Sequence, residues 1–272
     1  MDADPLNSFP PPATRPVATP PPLPVGARQP SLATAAGIIV LYFLLQFMAA
    51  SLIGLLFGIV GSIRLGVQAA FQNVMTQPDT RLWIVILGLV IAAGVTLWLI
   101  RRCWPAMWSQ AAPPGFGWCA PRSGVEYGIA VLLGLATPVV GGMLTLWLAH
   151  GHSVPQDVKQ MLDGATSGLR IGLALLVVSL GPLVEELLFR GVLLSALLRH
   201  MRAGWAIALG AVLFALVHLP DLGFLWYGLP NLALLGAMAA WLRLRSGSIW
   251  PAVLVHAINN LFAVMAWLWV AQ

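Results

Sequence analysis

Six polar side chains stand inside segments that are otherwise almost pure hydrocarbon. Glu185, Glu186 and Arg190 interrupt Leu180-Gly-Pro-Leu-Val-Glu-Glu-Leu-Leu-Phe-Arg190; His218 closes Phe214-Ala-Leu-Val-His218; His256 and Asn260 lie in Trp250-Pro-Ala-Val-Leu-Val-His-Ala-Ile-Asn-Asn260. A charge at mid-helix in a membrane costs at least about 2.5 to 3.5 kcal/mol on insertion scales, so each charge must be offset. Glu186 and Arg190 are four residues apart, share a helical face and are expected to pair. Glu185 is turned from them by roughly 100° and has no partner on its own helix, so it is expected to face a wet cavity as an acid or base. The plainer alternative is that all three form one packing network. Either histidine alone could equally be a satisfied core residue. His256 and Asn260, however, share a face and aim an imidazole and a carboxamide at one point, with Asn259 rotated away. His150, His152 and His200 lie among polar residues at segment ends and read as solvated.

A carboxylate can take a proton from water, a histidine can orient that water or protonate a leaving amine, and a His/Asn donor pair can stabilise an oxyanion. Together these are the parts of amide hydrolysis. Ser179 and Ser195 lie on the same segment as the glutamates but lack a base with its own orienting acid, so no serine nucleophile recommends itself. Two rival readings use the same residues: a transporter or proton relay, and a catalytically idle immunity or binding scaffold. Internal repeats, which would favour transport, are not visible.

The elements that must position this set are membrane helices. Of 272 residues, 59% are apolar and 8% charged, with a mean hydropathy of +0.87, against roughly 25% charged in soluble domains. This argues against a cytosolic enzyme, a secreted disulfide scaffold and a nucleic-acid binder. The net charge of +5 comes from scattered arginines rather than a basic groove. Cys103 and Cys119 have no nearby His or Cys pair and read as free thiols. The expected fold is an all-α polytopic transmembrane bundle of about seven spans, at about 33–60, 82–100, 126–149, 171–198, 203–219, 228–243 and 250–270. Residues Asp221 to Gly228 could form a loop at membrane level. Residues 1–30 hold ten of the 21 prolines and are expected to form a disordered cytoplasmic tail, not a signal peptide, ahead of a helical domain at 31–272.

An inside tail puts Arg15, Arg28, Arg101, Arg102, Arg122, Arg199, Arg202, Arg243 and Arg245 on the cytoplasmic side and Arg64, Arg81, Lys159 and Arg170 opposite, nine against four. Trp83, Trp98, Trp147, Trp205, Trp241, Trp250 and Trp267 fall near span ends, as interfacial anchors do.

Three motifs in order on separate apolar segments carry a resemblance. Glu-Glu-x-x-x-Arg is Glu185, Glu186 and Arg190; Phe-x-x-x-His is Phe214 and His218; His-x-x-x-Asn is His256 and Asn260. In these the chain resembles the CPBP intramembrane proteases, relatives of type II CAAX prenyl endopeptidases and bacteriocin-processing proteins, with the catalytic core at about 170–265. The approach Arg243-Leu-Arg-Ser-Gly-Ser-Ile-Trp-Pro-Ala252 is also similar, whereas the first 120 residues match nothing in particular. The resemblance implies a membrane-embedded endopeptidase acting on a membrane-associated protein or peptide. Glu185 would activate water with His218, His256 and Asn260 would bind the oxyanion, and Glu186, Arg190 and Phe214 would support them. A bacterial plasma membrane is the expected setting. The family is described both as metal-dependent and as glutamate-type; a metal-free route is favoured, and zinc, if bound, would be held by Glu185, His218 and His256. Counting about 1.5 Å per residue from the cytoplasmic ends puts Glu185 and His218 about 20 Å deep but His256 only about 10 Å deep.

Overall fold

The computed structural model describes residues 26–152 and 164–270. Residues 1–25 of the expected tail at 1–30, Lys159 and the side chain of Trp267 lie outside what is described.

The described residues are helical and contain no strand. Helix α1 (Leu32–Leu65) begins at a capping box in which the Ser31 side chain accepts from the Thr34 N–H. The short α2 (Val67–Thr76) turns back against it. Helices α3 (Pro78–Cys103) and α4 (Val125–Ala149) follow. The fourth expected span is a composite of α5 (Ser167–Val178), α6 (Leu180–Glu186), a π-helical turn at Leu187–Leu193 and α7 (Leu194–Leu197). Three more helices complete the bundle: α8 (Ala203–Val217), α9 (Leu229–Ser246) and α10 (Trp250–Val270). Each of the seven expected spans is thus helical, and four helical stretches among the described residues are individually long and apolar enough to cross a bilayer. The stretch Asp221 to Gly228 is a run of turns ending in one 3-10 turn at Trp226–Gly228.

The outer faces are apolar: Phe47 on α1 is 72% exposed and Leu146 on α4 is 69% exposed. Water would penalise such surfaces and lipid does not. The chain is an integral membrane protein.

Two departures from straight helices shape the interior. Ser179 leaves helical geometry at φ −123°, ψ −74°, three residues before Pro182, which has no N–H to carry the ladder across the break. The π-helical turn that follows is wholly buried and sets α6 and α7 out of simple register.

Residues 104–118 connect α3 to α4. They fold into a strap over the α9–α10 turn. Its Trp104, Met107 and Phe116 are buried, and Trp118 lies edge-on between Trp108 and Trp250, with centroids 4.9 Å away on both sides. Trp250 therefore belongs to an aromatic stack rather than to a lipid-facing belt. Arg243, expected among the charges at the membrane edge, is 0% exposed and donates to Ala111 O at 2.8 Å and Gly115 O at 2.6 Å. It lies against Gly117, where φ is +73° and a Cβ would stand 2.6 Å from the guanidinium carbon. Ile249 N donates to Gly117 O, and the Ser248 hydroxyl to Cys119 O at 2.6 Å. Cys103 and Cys119 are free thiols.

Candidate active site

The two glutamates open in different directions because they are neighbours on one helix. Glu186 is sealed in the bundle at 0% exposure, and Arg190 Nη1 donates to its Oε1 at 2.9 Å. The guanidinium also donates from Nη2 to Gly236 O on α9 at 3.0 Å and lies 4.4 Å from the centre of the Phe214 ring. One side chain thereby ties the π-helical turn to α8 and α9. Gly236 makes room for this: a Cβ there would stand 3.0 Å from Ala211 Cα and 3.2 Å from Arg190 Nη2.

Glu185, at 17% exposure, reaches two imidazoles with one oxygen: His218 Nε2 lies 3.5 Å and His256 Nε2 3.8 Å from Oε2. Each imidazole is oriented from behind. His218 Nδ1 is 2.7 Å from Phe214 O, which can only accept, so Nδ1 carries the hydrogen. His256 Nδ1 is 2.8 Å from the Glu186 carboxylate and by the same logic donates to it. In the neutral rings both Nε2 atoms are therefore bare and face Glu185. Phe214 packs against both rings, with centroids 4.7 Å from His218 and 5.5 Å from His256. A water beside this trio can give one hydrogen to the carboxylate and one to an imidazole, which leaves its oxygen lone pairs free.

The structure brings Glu185, Glu186, Arg190, Phe214, His218 and His256 into one contiguous chain. The uneven depths expected for the histidines do not hold. Trp250 does start α10, but Ile249, Ala252 and Val255 are fully buried beneath the strap. His218 and His256 both reach the same Glu185 oxygen, so counting depth from Trp250 places His256 too shallow.

His256 and Asn260 do not converge on one target. His256 is engaged by the two glutamates, whereas Asn260 Nδ2 donates to Val177 O at 3.0 Å, at the break where α5 ends. Asn260 also lines a cavity of about 100 Å³ beside Glu185, together with Tyr42, Leu89, Ala93, Leu176, Val177, Leu180 and Gly181. This volume admits several waters. Asn259 Oδ1 is buried without a partner among the described residues.

Tyr42 went unnoticed in the sequence because one tyrosine in an apolar helix carries no spacing. Its one signal was position: it lies ten residues inside the 34-residue α1, away from the helix ends where amphipathic rings usually sit.

Carboxylate and bare imidazole nitrogens are donors that zinc accepts. As they stand, no group of three His, Cys, Asp or Glu side chains among the described residues is placed as a metal-ion site.

No curated protein and no solved structure matches the chain. Residues 167–262 match the family model described as type II CAAX prenyl endopeptidase Rce1-like, a protease family. The matched stretch runs from α5 into α10 and holds all three motifs, leaving α1 to α4 outside. The motif-bearing part of this chain is thus similar to the Rce1-like family, in line with the resemblance carried by the three motifs.

Proposed function

We propose that the protein is an intramembrane endopeptidase that hydrolyses a peptide bond of a membrane-associated protein or peptide, with Glu185 activating the attacking water. The observation that carries this reading is the convergence of two imidazole nitrogens, His218 Nε2 and His256 Nε2, on one carboxylate oxygen at the wall of a water-sized cavity. Glu185 takes a proton from water as the water oxygen bonds to the peptide carbonyl carbon, and the carbonyl π pair moves onto oxygen. When the oxyanion collapses, the C–N bond breaks and the proton passes to the departing amine, from Glu185 or through His218. Glu186, held by Arg190, keeps the His256 ring in its orientation. Removing Arg243 from the count of basic residues, because it is buried, leaves eight against four and still favours a cytoplasmic amino terminus.

The test compares membrane proteomes of cells carrying the wild-type protein and Glu185→Gln. Membrane-anchored peptides that accumulate uncut only with the variant support the reading. If Glu185→Gln changes ion-dependent flux and no peptide, a transport function replaces it; no change of either kind leaves an idle scaffold.

A further inference from the structure

The cavity beside Glu185 is poor in donors. Of its nine lining residues, six (Leu89, Ala93, Leu176, Val177, Leu180 and Gly181) have no polar side-chain atom. Glu185 is the base, which leaves Asn260 and Tyr42. One hydrogen of the Asn260 amide is committed to Val177 O. His256, the other expected oxyanion donor, gives its Nδ1 hydrogen to Glu186 and turns a bare Nε2 to Glu185.

Tyr42 is different. Its ring is fixed, at 1% exposure, with Phe43 edge-on at 5.2 Å. Among the described residues no hydrogen bond to its hydroxyl is found, and it lines the same cavity as the Glu185 carboxylate. A buried tyrosine normally finds a partner for its O–H. Here the space offering one is the cavity where a peptide carbonyl would meet the activated water.

We propose that Tyr42 is a catalytic residue: its hydroxyl donates to the oxyanion of the tetrahedral intermediate, with the free Asn260 amide hydrogen as the second donor. This rests on the hydrolytic reading above. The residue comes from α1, outside the stretch that carries the family motifs. Its O–H stays with Tyr42 throughout; only the hydrogen bond shortens as charge grows on the carbonyl oxygen, and in an apolar cavity that gain is large.

The experiment uses the full chain in phospholipid nanodiscs with a library of internally quenched peptides, comparing wild type, Glu185→Gln and Tyr42→Phe. The phenylalanine keeps the ring and removes only the donor. Loss of one such donor lowers kcat by roughly 10² to 10³, so Tyr42→Phe is expected to lose about 10²-fold in kcat with KM within about twofold. An active wild type with Tyr42→Phe at full kcat overturns this assignment and leaves the proposed function standing. An inert wild type overturns both.

Should Tyr42→Phe not fold, 3-fluorotyrosine at position 42 keeps both ring and hydroxyl. Its 19F signal is expected to shift on Glu185→Gln; an unmoved signal places the hydroxyl away from that carboxylate and overturns the proposal.

Discussion

Arg190 is the cation on which the buried carboxylate chain depends, and Arg190→Met measures that dependence. The methionine roughly keeps the apolar volume but removes the bond to Glu186 Oε1 at 2.9 Å and the bond to Gly236 O at 3.0 Å. Both side chains of the ion pair are sealed, at 2% and 0% exposure, so water cannot take over for the missing guanidinium. Two unit charges about 4 Å apart at an effective dielectric constant near 20 attract by about 4 kcal/mol. Removing one partner of such a buried pair costs about 3 to 5 kcal/mol. For a chain of this size that corresponds to a fall in melting temperature of roughly 6 to 20 °C.

Thermal unfolding of the purified protein in detergent reads the cost, and a double-mutant cycle assigns it. Glu186→Gln removes the negative charge but keeps an acceptor for His256, so the pair Glu186→Gln/Arg190→Met is expected to be more stable than Arg190→Met alone, with a coupling above about 1 kcal/mol. If Arg190→Met costs under 1 kcal/mol, or the two substitutions simply add, Glu186 is not an uncompensated charge without Arg190. The positioning role given to the pair would then fail.

Three further outcomes are expected. Gly236→Ala places a methyl 3.0 Å from Ala211 Cα and should cost about 1 to 3 kcal/mol by forcing α8 from α9; a melting curve that overlays the wild type would show that the helices can part without penalty. Arg243→Met removes both bonds to the strap carbonyls, so hydrogen exchange across residues 105–118 should rise while the buried Leu187–Leu193 turn stays protected; equal protection in both would show that the aromatic stack alone holds the strap. Asn260→Leu leaves Val177 O without its donor, costing about 1 to 3 kcal/mol, which a chemical-denaturation midpoint in detergent would report; an unchanged midpoint would mean that another donor serves this carbonyl.

Several contacts were legible because they are local to one helix. A spacing of four residues made Glu186 and Arg190 partners and put Glu185 on another face, and the structure has this arrangement. The longer apolar segments, too, were legible in composition, since about 20 such residues leave few alternatives to a membrane helix, and four helical stretches reach that length.

What the chain order could not reveal lies between helices. His256 finds Glu186 across 70 positions of sequence, and Asn260 reaches Val177 across 83. Sharing a face on α10 says only that the two point the same general way, not what stands opposite. Arg243 looked like a boundary arginine because its flanks are short and polar. It is buried because residues 104–118 fold over it and supply carbonyls that repay its lost hydration. Periodicity determines which residues share a side of a helix. How deep each helix starts, what covers its end and which tyrosine reaches the cavity were decided by packing, in which groups distant in sequence satisfy polar atoms that lipid cannot.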